Sequence, residues 1–400
     1  MRYLFTVVLL VSGMAGMGGR ALGQGTFALE FREATPQQVP ALQETAHFCS
    51  RVAARPAAVT RLPEGLPQQV AYFQFGPANA PTWILAVGGE KPLLYADLDR
   101  SGDLAKQAPV AGKADQSGTW FEPLTLTAED GQPVRVRLMS HSGPNQQVLG
   151  CLHAFALGCR MGKVRLGDKT YGIALIDGNL NGRYNDRLAA SRLRQDTDAV
   201  AIDFNGNGVF EPFNPDQPSP EWMPLARGLA ADGAFYTVTV AADGSQIEIA
   251  PTQPSYGQLD LGPREVRLTA FSDFGLQRIE TKGGKVRAVA GRYSTVSGEV
   301  RQSDGKAAWR LQLASDPGEI GTFVLHGGET LALPLGEPLV PTVDVALANG
   351  TAQLNYRLVG RSGEQYAPAV QKDKVQIPPP RLEVVDAGGK VIYSASFEYG

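Results

Sequence analysis

The chain has 400 residues, more than one ordinary domain of roughly 100–200 residues, which predicts two or three domains. Hydrophobic residues make up 43% and charged residues 19%, which excludes a disordered chain, and Gly 46 with Pro 28 predicts many tight turns between short strands. Lys+Arg 37 against Asp+Glu 40 gives a net charge of −3, so there is no basic excess to attract a phosphate backbone and no nucleic-acid partner is expected.

Arg2, the apolar run from Tyr3 to Val11 and the small residues ending in Ala21-Leu22-Gly23 form the pattern of a secretory signal peptide over residues 1–23, cleaved near Gly23. That run is too short to cross a bilayer as a helix, and no later stretch approaches about 18 uninterrupted apolar residues, so no transmembrane segment is expected. The mature protein is therefore expected to be secreted, whether extracellular, periplasmic or at the cell surface. Residues 24–65 read as an N-terminal segment with one short helix over 40–54. Proline lies in its first turn, and Leu42, Thr45, Cys49 and Val52 recur at three- and four-residue spacing. Cys49, Cys151 and Cys159 are the three cysteines, and in an oxidising compartment they permit either one bridge, with Cys151 and Cys159 the nearest pair, or three buried thiols.

Residues 66–250 read as a β-domain of short Val-, Leu-, Tyr- and Thr-rich runs separated by turn dipeptides such as Gly167-Asp168 and Asp243-Gly244. Three hairpins follow from this punctuation: 163–166 with 171–176, 236–240 with 246–249, and 382–385 with 391–394. Alternation in Val134-Arg135-Val136-Arg137-Leu138 predicts a sheet with one wet face. Residues 251–258, beginning Pro-Thr-Gln-Pro-Ser-Tyr-Gly, read as a linker. Residues 259–400 carry strand-like runs at intervals of roughly 8–12 residues, which predicts a β-sandwich of immunoglobulin-like architecture. The fold class expected is all-β, mostly antiparallel.

Three segments share one chemical pattern. An apolar run ends at an aspartate, oxygen-bearing side chains follow at the third and fifth positions, glycine takes the sixth, and an apolar residue the eighth. The first is Asp97, Asp99, Ser101 and Gly102, with Asp103 beside them and Leu104 at the eighth position. The second is Asp177, Asn179, Asn181 and Gly182, then Tyr184, with Asp186 as a closing carboxylate. The third is Asp203, Asn205, Asn207 and Gly208, then Phe210, with Glu211 or Asp216 to close it. Calcium takes six to eight oxygens at about 2.3–2.6 Å, and a chain wrapped around it turns alternate side chains inward. The pattern resembles the calcium loops of EF-hand-like proteins, dockerin modules and thrombospondin type 3 repeats. That resemblance implies structural calcium as a cofactor. No bidentate glutamate occupies the twelfth position, which is Ala108, Leu188 or Asn214, and strand-like runs replace the leading helix. With about two acids per loop, affinity is expected near 10⁻⁴–10⁻³ M. The second and third loops, lying close in sequence, read as the stronger pair.

No nucleophile elbow, phosphate loop or dinucleotide fingerprint occurs. Ser140 and His141 are adjacent in a strand-like run, where their side chains point to opposite faces. His47, His141, His153 and His326 lack metal-ligand spacing. The function expected is a secreted, non-enzymatic β-protein with structural calcium loops and an adhesion or assembly role, meeting a surface glycan or protein partner. The alternative is a carbohydrate-active protein, either a binding module using its tryptophans or a glycoside hydrolase using an Asp/Glu pair.

Overall fold

The computed structural model describes residues 24–397 apart from 77–80, 115–117, 128–132, 142–148, 189–196, 215–219, 304 and 349–350. Residues 1–23 and Asp216 thus lie outside the described residues. The protein is all-β and antiparallel almost throughout, with two 3-10 turns, Pro40–Thr45 and Leu104–Lys106, as its helical elements among the described residues.

The first seventeen strands are β1 (Gly25–Arg32), β2 (His47–Val52), β3 (Ala71–Phe75), β4 (Thr82–Val87), β5 (Leu93–Ala96), β6 (Val110–Ala114), β7 (Thr119–Phe121), β8 (Leu124–Thr127), β9 (Pro133–Ser140), β10 (Leu152–Ala156), β11 (Cys159–Leu166), β12 (Lys169–Ile176), β13 (Ala199–Ile202), β14 (Trp222–Pro224), β15 (Gly228–Ala231), β16 (Ala234–Val240) and β17 (Gln246–Thr252). Strands β2 to β10 form a meander that closes on itself, because β10 pairs with both β9 and β2. β7 and β8 are one position in that ring, broken at Glu122-Pro123, since both pair with β9. The result is an eight-position antiparallel barrel, closed by the pairings of β10 with β2 and β9. Phe73, Ile84, Ala86, Leu94, Ala96 and Phe121 fill its interior. On the outer wall Tyr72, Leu85 and Val87 are buried too, beneath Val59 and Leu104. Burial on both faces explains why β3 and β4 read as continuous apolar runs rather than alternating ones.

The second sheet runs β14-β13-β12-β11-β1-β17-β16-β15 and curls as an open half-barrel around Ile173, Ile202, Val238, Ile247 and Ile249. The hairpins of β11 with β12 and β16 with β17 form as the turn dipeptides predict.

The 40–54 segment departs from the helical expectation. Only Pro40–Thr45 turns, as a 3-10 helix, and His47–Val52 extends as β2 with Cys49 buried. The three-residue spacing of Leu42 and Thr45 suits either helix type. Beyond it, ladders to β3 on one side and β10 on the other satisfy the backbone. β1 and β2 also lie ahead of residue 66, each inside one of the two sheets. All three cysteines are free: Cys151 and Cys159 flank the extended strand β10, and Cys49 and Cys159 are buried.

Within the stretch 251–258, β17 runs through Thr252 and the next strand starts at Tyr256. Beyond it the central element is the thirteen-residue strand Gly291–Ser303, which pairs with Glu265–Ser272, Ala308–Gly318 and Thr322–Leu325. A three-stranded sheet of Tyr256–Asp260, Lys285–Val289 and Thr330–Ala332 shares its apolar core. Phe271 crosses to the half-barrel and packs on Trp222 and Phe213. The hairpin of Arg381–Val385 with Val391–Ser396 forms as expected.

Candidate metal loops

Each of the three loops leaves the C-terminal end of a strand: β5 for the first, β12 for the second and β13 for the third. Their backbones are alike. The amide of the sixth residue donates to the leading aspartate in every case: Gly102 to Asp97 at 3.0 Å, Gly182 to Asp177 at 2.8 Å, and Gly208 to Asp203 at 2.9 Å. The fifth residue's amide donates to the third side chain: Ser101 to Asp99, Asn181 to Asn179, and Asn207 to Asn205. The seventh residue's amide donates to the fifth side chain: Asp103 to Ser101, Arg183 to Asn181, and Val209 to Asn207. Left-handed backbone recurs at the fourth and sixth positions, with φ of 53° at Arg100, 57° at Leu180 and 73° at Gly206, then 71°, 85° and 80° at the three sixth-position glycines. Such φ values favour glycine, and Arg100 and Leu180 adopt them under constraint. Gly102 has a second reason to lack a side chain: a Cβ there would fall 2.0 Å from the Ala58 carbonyl oxygen.

The leading aspartates are buried and the outer oxygens are not. Asp97 is 1% exposed, Asp177 3% and Asp203 9%, whereas Asp99, Ser101, Asn205 and Asn207 face solvent. The second and third loops close on their predicted carboxylates. Asp186 accepts from the side-chain amides of Asn179 (3.2 Å) and Asn181 (2.6 Å), and Glu211 accepts from that of Asn207 (3.1 Å). Asp103 turns away instead. It accepts from Ala105 N–H at the cap of the 3-10 turn and pairs with Arg61 and Lys106, which clips the 53–70 segment against the barrel. The second and third loops emerge at opposite ends of the β12–β13 ladder, because neighbouring antiparallel strands end on opposite sides.

Two buried acids absent from the sequence pattern complete these loops. Asp198, 2% exposed, accepts from Gly178 N–H at 3.1 Å and Asp186 N–H at 2.7 Å, pinning the second loop at both ends. Glu221, also 2% exposed, accepts from Asn205 N–H at 3.4 Å and Glu211 N–H at 3.1 Å, doing the same for the third. Each directly precedes the strand that pairs beside its loop, β13 for Asp198 and β14 for Glu221. An acid just ahead of the next strand was the signal available in the sequence. The first loop has no such acid; Pro109 precedes β6. Its Asp97 Oδ1 is buried and has no hydrogen-bond partner.

Burial dominates the electrostatics. It pushes the Asp198 carboxyl up to about 9, with the Asp177 charge adding to the shift, and Asp177 up to about 7. Glu221 is raised by burial and by the charges of Asp203 and Glu211. Asp97 is raised by burial and by its neighbour Asp99, and Asp99 is lowered by its hydrogen bonds with Ser101. Among the described residues, no group of three or more His, Cys, Asp or Glu side chains converges at metal-binding distance. Any cation in these loops would therefore be held mostly by amide, hydroxyl and carbonyl oxygens.

His141 and His153, distant in sequence, meet edge to face at 4.9 Å where β9 pairs with β10. Trp222 is buried and Trp83, Trp120 and Trp309 are half-buried, with Arg137 over Trp120 and Lys372 over Trp309. No helix among the described residues is long and apolar enough to cross a membrane.

No family model matches the chain, and no curated protein matches it. A solved leucine-rich repeat protein from Bacteroides thetaiotaomicron is similar at 13% identity over 55% of this chain and 24% of that one, so this chain spans about a quarter of its length. Its TM-score of 0.15 carries no argument about fold or function.

Proposed function

We propose that this is a secreted, non-enzymatic β-protein whose strand-end loops take calcium as a structural ion, and whose C-terminal half is an immunoglobulin-like sandwich serving adhesion or assembly outside the cell. The observation that carries the calcium reading is Asp97. Its buried Oδ1 lacks a donor, whereas the matching oxygens of Asp177 and Asp203 accept from the fifth residue's amide, Asn181 at 3.2 Å and Asn207 at 3.1 Å. A buried carboxylate oxygen without a partner is costly, and a cation beside Asp99 and Ser101 would supply the missing charge. Ions of millimolar affinity would fill such loops in calcium-rich external fluid and stabilise the folded state by mass action.

The test is calcium content together with thermal unfolding. Protein dialysed against calcium is expected to retain it and to melt several degrees above the same protein in EDTA, and the D97N/D177N/D203N variant is expected to lose that difference. Equal melting with and without chelator, and no retained calcium, would return the loops to hydrogen-bonded Asx turns.

A further inference from the structure

Beside the second loop a cleft of about 790 Å³ opens where β1, the start of β9, the β10–β11 turn and the β16–β17 turn meet. That size lies within the roughly 300–1,000 Å³ of small-molecule sites. Its walls are largely apolar, formed by Phe31, Val134, Leu157 and the ring of Tyr184. Arg160, the register partner of Phe31 across the β1–β11 ladder, lines it too. The guanidinium carbon lies 5.8 Å from the Phe31 ring centre and 5.6 Å from that of Tyr184, so the two aromatic rings hold it in place.

Arg160 Nε is buried and donates to nothing, and the side chain makes no hydrogen bond or ion pair among the described residues. Of the other charged groups lining the cleft, Arg135 pairs with Glu33, Asp243 accepts from the amide and hydroxyl of Ser245, and Asp177 accepts from the amides of Asn181 and Gly182, while Arg183 adds a second positive charge. Two glycines make this arrangement possible. A Cβ at Gly158 would fall 2.5 Å from the Phe31 ring, and one at Gly244 would fall 2.6 Å from the Tyr184 ring and 2.9 Å from Arg160 Cγ. Phe31 stays about half exposed at the rim, where a ligand would cover it.

We propose that this cleft binds a small organic carboxylate, its carboxylate on Arg160 and its apolar body against Phe31 and Tyr184. A half-buried guanidinium without an acceptor selects for a charged planar acceptor, because charge-assisted bonds are the strong ones and the guanidinium geometry matches a carboxylate. The apolar walls select for a ligand with an apolar body. Asp177 and Arg183 of the second loop share the cleft wall, so the binding measurements are made both with calcium and with chelator.

Isothermal titration of the full chain with 3-phenylpropanoate, its neutral amide and acetate tests the assignment. The acid is expected to bind at one site, and the amide and acetate about tenfold or more weakly. R160Q is expected to erase the preference for acid over amide, and R160K, which keeps the charge but loses Nε, to weaken acid binding about tenfold. In the unaltered protein labelled with ¹⁵N-arginine, the Arg160 Nε–H resonance, assigned by its absence in R160K, is expected to move with the acid and not with the amide. This readout holds even where R160Q fails to fold. Equal binding of acid and amide, equal binding of acetate, or an unmoved Arg160 resonance would overturn the proposal.

Discussion

In the C-terminal half Glu364 is completely buried, and its two oxygens accept from neutral donors: Gly336 N–H and Tyr366 Oη at 2.7 Å each on Oε1, and Ser362 N–H at 2.7 Å on Oε2. The strand-end loops bury acids in another way. The Asp177 charge disfavours that of Asp198, the Asp186 charge disfavours both, and Asp97 leaves one buried oxygen without a donor. The first arrangement is finished by the chain itself, as buried polar groups usually are. In the second, burial and like charge exceed what the backbone amides offset. That contrast separates a carboxylate fully satisfied by the chain from carboxylates that burial and neighbouring charge push toward the neutral form.

The largest expected effect breaks the finished side. E364A leaves three donors without an acceptor, each costing about 1–3 kcal/mol, so denaturant unfolding is expected to show a loss of at least about 3 kcal/mol. Calcium should not alter that loss. On the other side, calcium at about ten times its dissociation constant is expected to add about 1.4 kcal/mol per loop filled, read as the same denaturation with and without chelator. D97N is expected to remove one loop's share.

The acids raised by burial give a pH dependence in the chelated protein. Asp177 rises to about 7 and Asp198 to about 9 from an ordinary value of 3.8. Both folded values lie above the unfolded one, so the folded state binds the extra protons. Stability is fullest below the unfolded value, falls as pH rises from about 4 toward about 9, and levels off above that. Melting temperatures across this range are expected to trace that decline, with a shallower slope in D198N and in calcium-loaded protein. A profile that rises from pH 5 to 8 would contradict the sign.

The smallest effect concerns ionisable groups buried as neutral species. Burial pushes the Cys49 and Cys159 thiols up to about 12, while Cys151 is only half-buried. A chromogenic disulfide reagent at about pH 8 is expected to titrate Cys151 in native protein and all three thiols after unfolding.

Features set by neighbouring residues were legible in the sequence. The Gly167-Asp168 and Asp243-Gly244 turns specified their hairpins, and the spacing from Asp97, Asp177 and Asp203 specified loops of one shape. Features set by distant pairing were not. Nothing near Cys49 announces that its strand closes a barrel against Leu152. The helical reading of 40–54 failed for that reason, since the competing ladder lies about a hundred residues away. Asp198 and Glu221 escaped because only antiparallel pairing brings them beside loops that end earlier in the chain. Arg160 carries no pattern at all, and its meaning comes from Phe31 and Tyr184 folding onto it.

β1 has a further consequence for how the molecule is assembled. Its first half, Gly25 to Ala28, bonds to β17, and its second half, Leu29 to Arg32, bonds to β11 on the other side. Among the described residues it is the strand whose ladders join the block β11–β14 to the block β15–β17 in one sheet. The separations are long, 159 − 32 = 127 residues from Arg32 to Cys159 and 249 − 25 = 224 from Gly25 to Ile249. Contacts this distant in sequence form late, after the entropy of closing large loops has been overcome. In a chain made from its N-terminus onward, the earliest strand of the half-barrel is therefore the last to find its place, and until it does the two blocks each present an open edge to other chains.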